Sequence, residues 1–192
     1  MRVKICGITR VDDARFAEQA GADAVGVVMF SDASPRCVKE SRAREIFSAL
    51  GPFTTTVVVT HTTSETDLDT ILALRPDAIQ ISHPFVFRED PGVRVLRVIG
   101  RGDTVPRDCD AIVVDESMGG GRLFSRAFAR EVVQTAPLPV ILAGGLTPEN
   151  VVDAIRSIHP YAVDVASGVE ESPGIKDHKK IAAFIAATRE AT

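Results

Sequence analysis

The sequence has few cysteines, and they follow no recognisable pattern. Its 192 residues include Cys6, Cys37 and Cys109, and no two of these form a CxxC pair. An odd and scattered set of this kind predicts neither a disulfide framework nor a zinc site. The histidines and carboxylates show no metal-ligand spacing either, so we expect no bound metal.

Net positive charge and long apolar runs are also missing. The formal net charge is -4, which gives a nucleic-acid partner no electrostatic support. No apolar run approaches the roughly 18 residues that a membrane helix needs. The N-terminal MRVKICGIT predicts a strand and a turn rather than the apolar core of a signal peptide. We therefore expect a cytoplasmic protein without a membrane partner.

Strand-like and helix-like segments alternate along the whole chain. The predicted strands are rich in valine and isoleucine, which is typical of parallel strands covered on both faces. These strands lie at 2–6, 24–29, 54–60, 78–82, 93–99, 111–115, 139–143 and 162–166. The predicted helices lie near 11–20, 40–50, 65–74, 126–135, 148–157 and 176–188. The alternation predicts an α/β protein with a single-domain (β/α)8 barrel (TIM barrel) over residues 1–192.

Two helices of this barrel have too little sequence to form fully. An eightfold barrel typically needs about 250 residues. The segment 83–91 after strand 4 leaves room for a turn or two, and the segment 101–108 contains Gly102 and Pro106. We therefore expect shortened loops and reduced helices 4 and 5, counted by the strand that each follows.

Two glycine turns near the C-terminus predict a phosphate site. Ala143-Gly144-Gly145-Leu146 follows the seventh predicted strand, and Ala166-Ser167-Gly168-Val169 follows the eighth. In a (β/α)8 barrel the phosphate site usually follows strands 7 and 8, where backbone N–H groups meet around an anion. The candidate phosphate-binding residues are Gly144, Gly145, Ser167 and Gly168.

Two side chains near strand ends could carry acid–base chemistry. Lys4 and Cys6 share one face of strand 1 because side chains alternate along a strand. If that face lines the barrel, Cys6 lies at the C-terminal rim, and we expect the Lys4 ammonium to lower its pKa. A small buried cysteine is the more common case at such a position. Asp115 closes the apolar run of strand 6, where it could act, pair with a cation or cap a helix.

Three further charged residues stand out. Asp164 lies between two valines of the eighth strand, which favours a partner or a ligand for its carboxylate. Arg36 in the loop after strand 2 could bind a carboxylate, although a solvated loop arginine is more common. The glycine-rich segment 118–122 predicts either a mobile loop over the barrel mouth, to which Arg122 adds charge, or an ordinary surface loop.

These segments together resemble the phosphoribosylanthranilate isomerase family. The resemblance spans nearly the whole chain, and its most specific parts are Lys-Ile-Cys-Gly-Ile-Thr at 4–9 and Asp-Val-Ala-Ser-Gly-Val-Glu at 164–170. It also includes the segments 21–26, 34–36, 114–115, 119–124, 143–150 and 173–177.

The resemblance implies a role for each candidate residue. Cys6 would be the general base and Asp115 the general acid, and Arg36 would hold the anthranilate carboxylate. The glycine turns would hold the phosphate, and Asp164 would lie near the ribose and the anthranilate. Arg122 would add to substrate binding. The implied partner is a small phosphorylated substrate, the implied assembly is a monomer or homodimer, and no cofactor is implied.

The implied reaction is an Amadori rearrangement of N-(5-phosphoribosyl)anthranilate to 1-(2-carboxyphenylamino)-1-deoxyribulose 5-phosphate, the third step of tryptophan biosynthesis from chorismate. Protonation of the ring oxygen opens the sugar to a Schiff base. Removal of the proton on C2 then gives an enolamine, which becomes the amino ketose. One acid and one base on opposite sides of the ribose are sufficient.

The chain departs from the family pattern in three ways, of which the abbreviated helices 4 and 5 are one. The family commonly ends strand 4 with Gln-Leu-His-Gly, whereas residues 80–84 are Gln-Ile-Ser-His-Pro, so Ser82 replaces the histidine. The loop 118–126 also differs from the usual Gly-Gly-Ser/Thr-Gly-Lys-x-Phe-Asp-Trp. Two alternatives follow: a barrel isomerase for another phosphorylated aminosugar, and a non-catalytic phosphosugar-binding barrel. The second would be expected to lose Cys6 or Asp115, and neither is lost.

Overall fold

Eight parallel strands close into one barrel in the computed structural model, which describes residues 1–115 and 125–191. Each strand pairs with the next in sequence order, and the last pairs with the first. The strands are β1 (Arg2–Ile5), β2 (Ala24–Val28), β3 (Thr55–Thr60), β4 (Ala78–Ile81), β5 (Arg94–Ile99), β6 (Ala111–Val114), β7 (Val140–Leu142) and β8 (Ala162–Val165). The predicted (β/α)8 barrel is confirmed, and no strand boundary differs from its prediction by more than one residue.

Six helices cover the outside of the barrel in the described part of the chain. They are α1 (Val11–Ala20), α2 (Glu40–Ser48), α3 (Glu65–Ala73), α4 (Arg126–Thr135), α5 (Val151–Ile158) and α6 (His178–Glu190). No helix follows β4 or β5, where the described connections 82–93 and 100–110 are turns and irregular chain. The reduction expected for these two units is therefore complete. None of the described helices is long and apolar enough to cross a membrane.

Two helices begin later than the sequence predicts, and the contacts of the preceding residues explain both differences. α5 begins at Val151 because Asn150 holds the preceding turn: its Oδ1 accepts from Thr147 N–H at 2.8 Å, and its Nδ2 donates to the Gly145 carbonyl at 2.9 Å. α6 begins at His178 because the preceding residues 175–176 form β10 (Ile175–Lys176), which pairs antiparallel with β9 (Glu170–Ser172).

The barrel interior is apolar except for a small buried polar group. Cys6 packs there with Val28, Val57 and Val59, and this confirms that Cys6 faces inward. Lys4, Gln80 and Asp164 are also buried. Gly26 makes room for the first strand, because a Cβ at this position would lie 3.0 Å from Lys4 Cε and 3.1 Å from Cys6 Sγ.

Replacement of Asp177 by alanine tests the capping of α6. The Asp177 carboxylate accepts from the backbone N–H groups of Lys179 at 2.8 Å and Lys180 at 3.2 Å. We expect Asp177→Ala to lower the free energy of unfolding by about 1 kcal/mol in chemical denaturation. Asp12→Ala is the matched control, since Asp12 is exposed in the first turn of α1 and accepts no hydrogen bond within the described residues. An equal loss in both variants would contradict the assignment.

Candidate active site

A cavity of about 470 Å³ opens at the C-terminal ends of the barrel strands. Small-molecule sites usually have volumes of about 300–1,000 Å³. Every strand, or the residue directly after it, contributes at least one residue to the lining. Taken one from each strand in order, these include Cys6, Val28, Val59, Gln80, Val98, Asp115, Ala143 and Asp164.

Most of the residues singled out in the sequence meet at this cavity, although they come from five separate segments. Those that line it are Cys6, Arg36, Asp115, Gly144, Gly145, Asp164 and Ser167. Gly168 is next to Ser167 in the 3-10 turn Ser167–Val169. Arg122 lies outside the described residues, so its part in substrate binding stays a prediction.

A buried ion pair crosses the inside of the barrel beneath the cavity. Lys4 Nζ donates to Asp164 Oδ2 at 2.8 Å and to Gln80 Oε1 at 2.9 Å, so it joins β1 to β8 and β4. Burial disfavours the ammonium, but the negative charges of Asp164 and Cys6 outweigh that cost and raise the pKa of Lys4. Lys4 therefore stays cationic inside the barrel.

Asp164 has one carboxylate oxygen without a partner. Its Oδ2 is bound to Lys4, while its buried Oδ1 accepts no hydrogen bond within the described part of the chain. Burial raises the pKa of Asp164, the Lys4 ammonium opposes that rise, and the nearby Asp115 adds to it. A buried acceptor without a donor is costly, so this oxygen can receive a hydroxyl or amine of a ligand in the cavity.

The Cys6 thiol differs in one respect from the sequence-based expectation. Burial is the largest influence and raises the pKa of Cys6, and Asp164 adds to the rise. Lys4 and Lys176 act in the opposite direction but do not overcome burial. Lys4 therefore lowers the pKa of Cys6 as expected, but burial outweighs this effect, so the net shift is upward.

A second buried cluster holds Arg36, and the sequence analysis missed it. Arg36 donates from Nε and Nη2 to the two carboxylate oxygens of Glu170, both at 2.7 Å. Glu170 also accepts from Lys176 Nζ at 2.9 Å, and this lysine is fully buried. Burial opposes ionisation of Glu170, but Arg36 and Lys176 outweigh it and lower its pKa. Arg36 is thus neither a solvated loop arginine nor wholly free for a ligand, since Nη1 alone lacks a protein partner among the described residues.

The two glycine turns lie against each other at the other side of the mouth. Gly145 has a φ of 66°, in the left-handed region that favours glycine. A Cβ at Gly168 would overlap the carbonyl oxygen of Leu146, so this close approach of the two loops requires glycine. Within the described residues the N–H groups of Gly145, Ser167 and Gly168 donate to no protein acceptor. They are therefore available to an anion.

One more side chain of the cavity was not predicted. His61 directly follows β3 and lines the cavity, with its Nδ1 at 3.0 Å from Ser31 Oγ. The histidines show no metal-ligand spacing in the sequence, and His61 carries no other sequence signal that marks it as a site residue. No group of three His, Cys, Asp or Glu suited to a metal ion occurs in the described part of the chain.

Titratable side chains and backbone turns with available N–H groups at the C-terminal mouth of a parallel barrel are the features of a (β/α)8-barrel enzyme. Comparison with known proteins gives the particular family. The model of the family described as N-(5'phosphoribosyl)anthranilate (PRA) isomerase matches residues 3–187, and the chain belongs to this family.

Individual relatives agree over the full length of the chain. The N-(5'-phosphoribosyl)anthranilate isomerase of Methanoregula boonei is 73% identical over 191 residues, which is 100% of this chain and 98% of the relative. The crystal structure of the phosphoribosyl anthranilate isomerase of Thermus thermophilus has a TM-score of 0.87 and 34% identity, with 100% of both chains covered. A phosphoribosyl anthranilate isomerase solved in complex with reduced 1-(o-carboxyphenylamino)-1-deoxyribulose 5-phosphate has a TM-score of 0.81 and 33% identity, with 99% of both covered.

Titration of the Cys6 thiol tests the electrostatics of the interior. In a Cys37→Ser, Cys109→Ser background, thiolate absorbance should give a pKa above the usual value of about 8.5. Asp164→Asn should lower that pKa, because it removes a negative charge that disfavours the thiolate. Asp12→Asn, a surface change, should leave it unaltered. A pKa that is unchanged or higher in Asp164→Asn would show that this carboxylate does not act on Cys6.

Replacement of Gly168 tests the phosphate site. A methyl group at this position forces the two loops apart and misaligns their N–H groups, so we expect Gly168→Ala to weaken binding of inorganic phosphate about tenfold or more. Isothermal titration calorimetry measures this change. Gly51→Ala is the control, because its new methyl group would meet only the side chain of Glu18, at 3.3 Å from Oε1, and would overlap no backbone atom. Unaltered phosphate affinity in a folded Gly168→Ala protein would rule out this site.

Proposed function

We propose that this chain converts N-(5-phosphoribosyl)anthranilate to 1-(2-carboxyphenylamino)-1-deoxyribulose 5-phosphate by general acid–base catalysis. Membership of the PRA isomerase family over residues 3–187 supports the reaction. One structural observation carries the assignment of residues: Cys6 after β1 and Asp115 after β6 line the same cavity, from strands that are three positions apart around the barrel. A ribose in the cavity thus has a base and an acid on different sides.

Asp115 is the proposed acid of the first step. It donates a proton to the ring oxygen while the bond between C1 and that oxygen breaks. The lone pair of the anthranilate nitrogen forms the new C1–N double bond, which gives the open-chain Schiff base. A side chain that donates a proton in this way typically accelerates a reaction by about 10²–10⁴-fold.

Cys6 is the proposed base of the second step. Its thiolate removes the proton on C2, and the electrons of that bond form the C1–C2 double bond of the enolamine. Because burial raises the pKa of the thiol, the thiolate needs nearby positive charge, which Lys4 and Lys176 supply. The enolamine then becomes the amino ketose by proton transfer from the C2 hydroxyl to C1.

The remaining residues are proposed to bind the substrate. The glycine turns at Gly144–Gly145 and Ser167–Gly168 hold the phosphate through backbone N–H groups. Arg36 offers Nη1 to the anthranilate carboxylate, and Glu170 fixes the guanidinium in place. The free Oδ1 of Asp164 accepts from a hydroxyl or amine near the reacting carbons. A cytoplasmic location and a monomeric or homodimeric state stay predictions.

Substitution of the proposed acid and base tests the mechanism. Cys6→Ser and Asp115→Asn should each lower kcat by about 10²–10⁴-fold, because an alcohol is a poor base and an amide donates no proton to the ring oxygen. Loss of phosphoribosylanthranilate fluorescence measures the rate. Melting temperature and phosphate affinity should change little. Cys109→Ser is the matched control, since this residue lies at the opposite end of β6. Near-normal turnover in folded Cys6→Ser would exclude Cys6 as the base, and a raised KM with normal kcat in Asp115→Asn would make Asp115 a binding residue.

A further inference from the structure

His61 is the histidine that lines the cavity, and neither step of the proposed mechanism uses it. Val57 and Val59 of β3 point into the barrel, so the alternation of side chains directs His61 to the same side. The other three histidines, His83, His159 and His178, do not line the cavity. An imidazole at this rim therefore has direct access to a bound ligand.

Ser31 orients the imidazole. Ser31 is buried in the loop after β2, and its Oγ lies 3.0 Å from His61 Nδ1. With Nδ1 engaged, Nε2 is the ring atom left for a ligand, since it has no hydrogen-bond partner within the described residues. Because the contact with Ser31 holds Nδ1, it also fixes the direction in which Nε2 points.

The topology of the barrel determines which part of a ligand His61 meets. In a closed barrel of eight strands, β3 is four strands from β7 in either direction, so His61 lies across the mouth from Gly144 and Gly145. A ligand anchored by its phosphate at the glycine turns extends its other end toward β3. In the substrate of the proposed function, that end is the aromatic ring with its carboxylate.

We infer that His61 is a specificity-determining residue that donates a hydrogen bond from Nε2 to the aromatic carboxylate of the substrate, with Ser31 as its positioning residue. This inference rests on the proposed function for the identity of the ligand. Arg36 cannot bind the substrate carboxylate through both arms of its guanidinium, because Nε and Nη2 already donate to Glu170. The substrate carboxylate can therefore accept from a second donor. A carboxylate that binds Arg36 Nη1 with one oxygen has lone pairs left for His61.

Binding of two ligands to His61→Ala tests the inference. The first is reduced 1-(o-carboxyphenylamino)-1-deoxyribulose 5-phosphate, and the second is ribose 5-phosphate, which has the phosphate and no aromatic carboxylate. We expect His61→Ala to weaken the first ligand about tenfold, the loss typical of one hydrogen bond to a charged group, and to leave the second unchanged. Ser31→Ala should weaken only the first ligand, and by a smaller factor. His159→Asn, at an exposed helix end, is the matched control.

The outcomes separate the inference from the proposed function. Equal weakening of both ligands in His61→Ala, or no weakening of either, would overturn the inference while wild-type turnover of phosphoribosylanthranilate leaves the proposed function standing. If the wild-type protein shows no turnover, the proposed function fails, yet selective loss of the aromatic ligand in His61→Ala would still support the contact. In an active enzyme, kcat/KM should fall about tenfold in His61→Ala, because the hydrogen bond to the substrate carboxylate is lost.

Discussion

The ion pair between Lys4 and Asp164 is the interaction on which the site depends. It joins the first strand to the last, and both partners are buried inside the barrel. Loss of one partner from a buried pair typically costs about 3–5 kcal/mol, because the other charge is left without compensation. After burial, the two charges of the pair are the largest influences on the pKa of Cys6, which lies two residues from Lys4 on the same face of the strand. The pair also leaves one buried oxygen of Asp164 without a hydrogen-bond donor among the described residues. The same ion pair therefore joins the first strand to the last and sets part of the charge around Cys6 at the cavity.

The second cluster, formed by Arg36, Glu170 and Lys176, complements the first. Together the two clusters contain three basic side chains and two carboxylates, so the groups around Cys6 have an excess of positive charge. These positive charges partly offset burial, which still raises the pKa of Cys6, and they favour an anionic ligand although the whole protein has a net charge of -4. The short hairpin β9–β10 carries Glu170 and Lys176, which gives a structural reason for its insertion between β8 and α6.

Different sides of the barrel mouth present different kinds of chemical group. Backbone N–H groups at the glycine turns have no protonation equilibrium near neutral pH, so they can hold a phosphate without taking part in proton transfer. The titratable groups, Cys6 and Asp115, lie on other strands. The far side presents His61, and continuation of the β3–β4 register places this residue opposite Ser82. The family resemblance implies a histidine where this chain has Ser82. His61, which follows the neighbouring strand β3, therefore places an imidazole at the same level of the barrel.

The sequence by itself determined the strands, the glycine turns and the inward face of β1. Buried parallel strands are continuous runs of valine and isoleucine, and alternation then directs Cys6 inward, so these features depend on neighbouring residues alone. The tertiary structure decided the rest, because the contacts concerned join distant parts of the chain: Arg36 and Glu170 are 134 residues apart. Lys176 was assigned to a helix and lies instead in β10, in contact with Glu170. The pKa of Cys6 and the position of His61 likewise follow from burial and from the closure of the barrel, which local sequence does not encode.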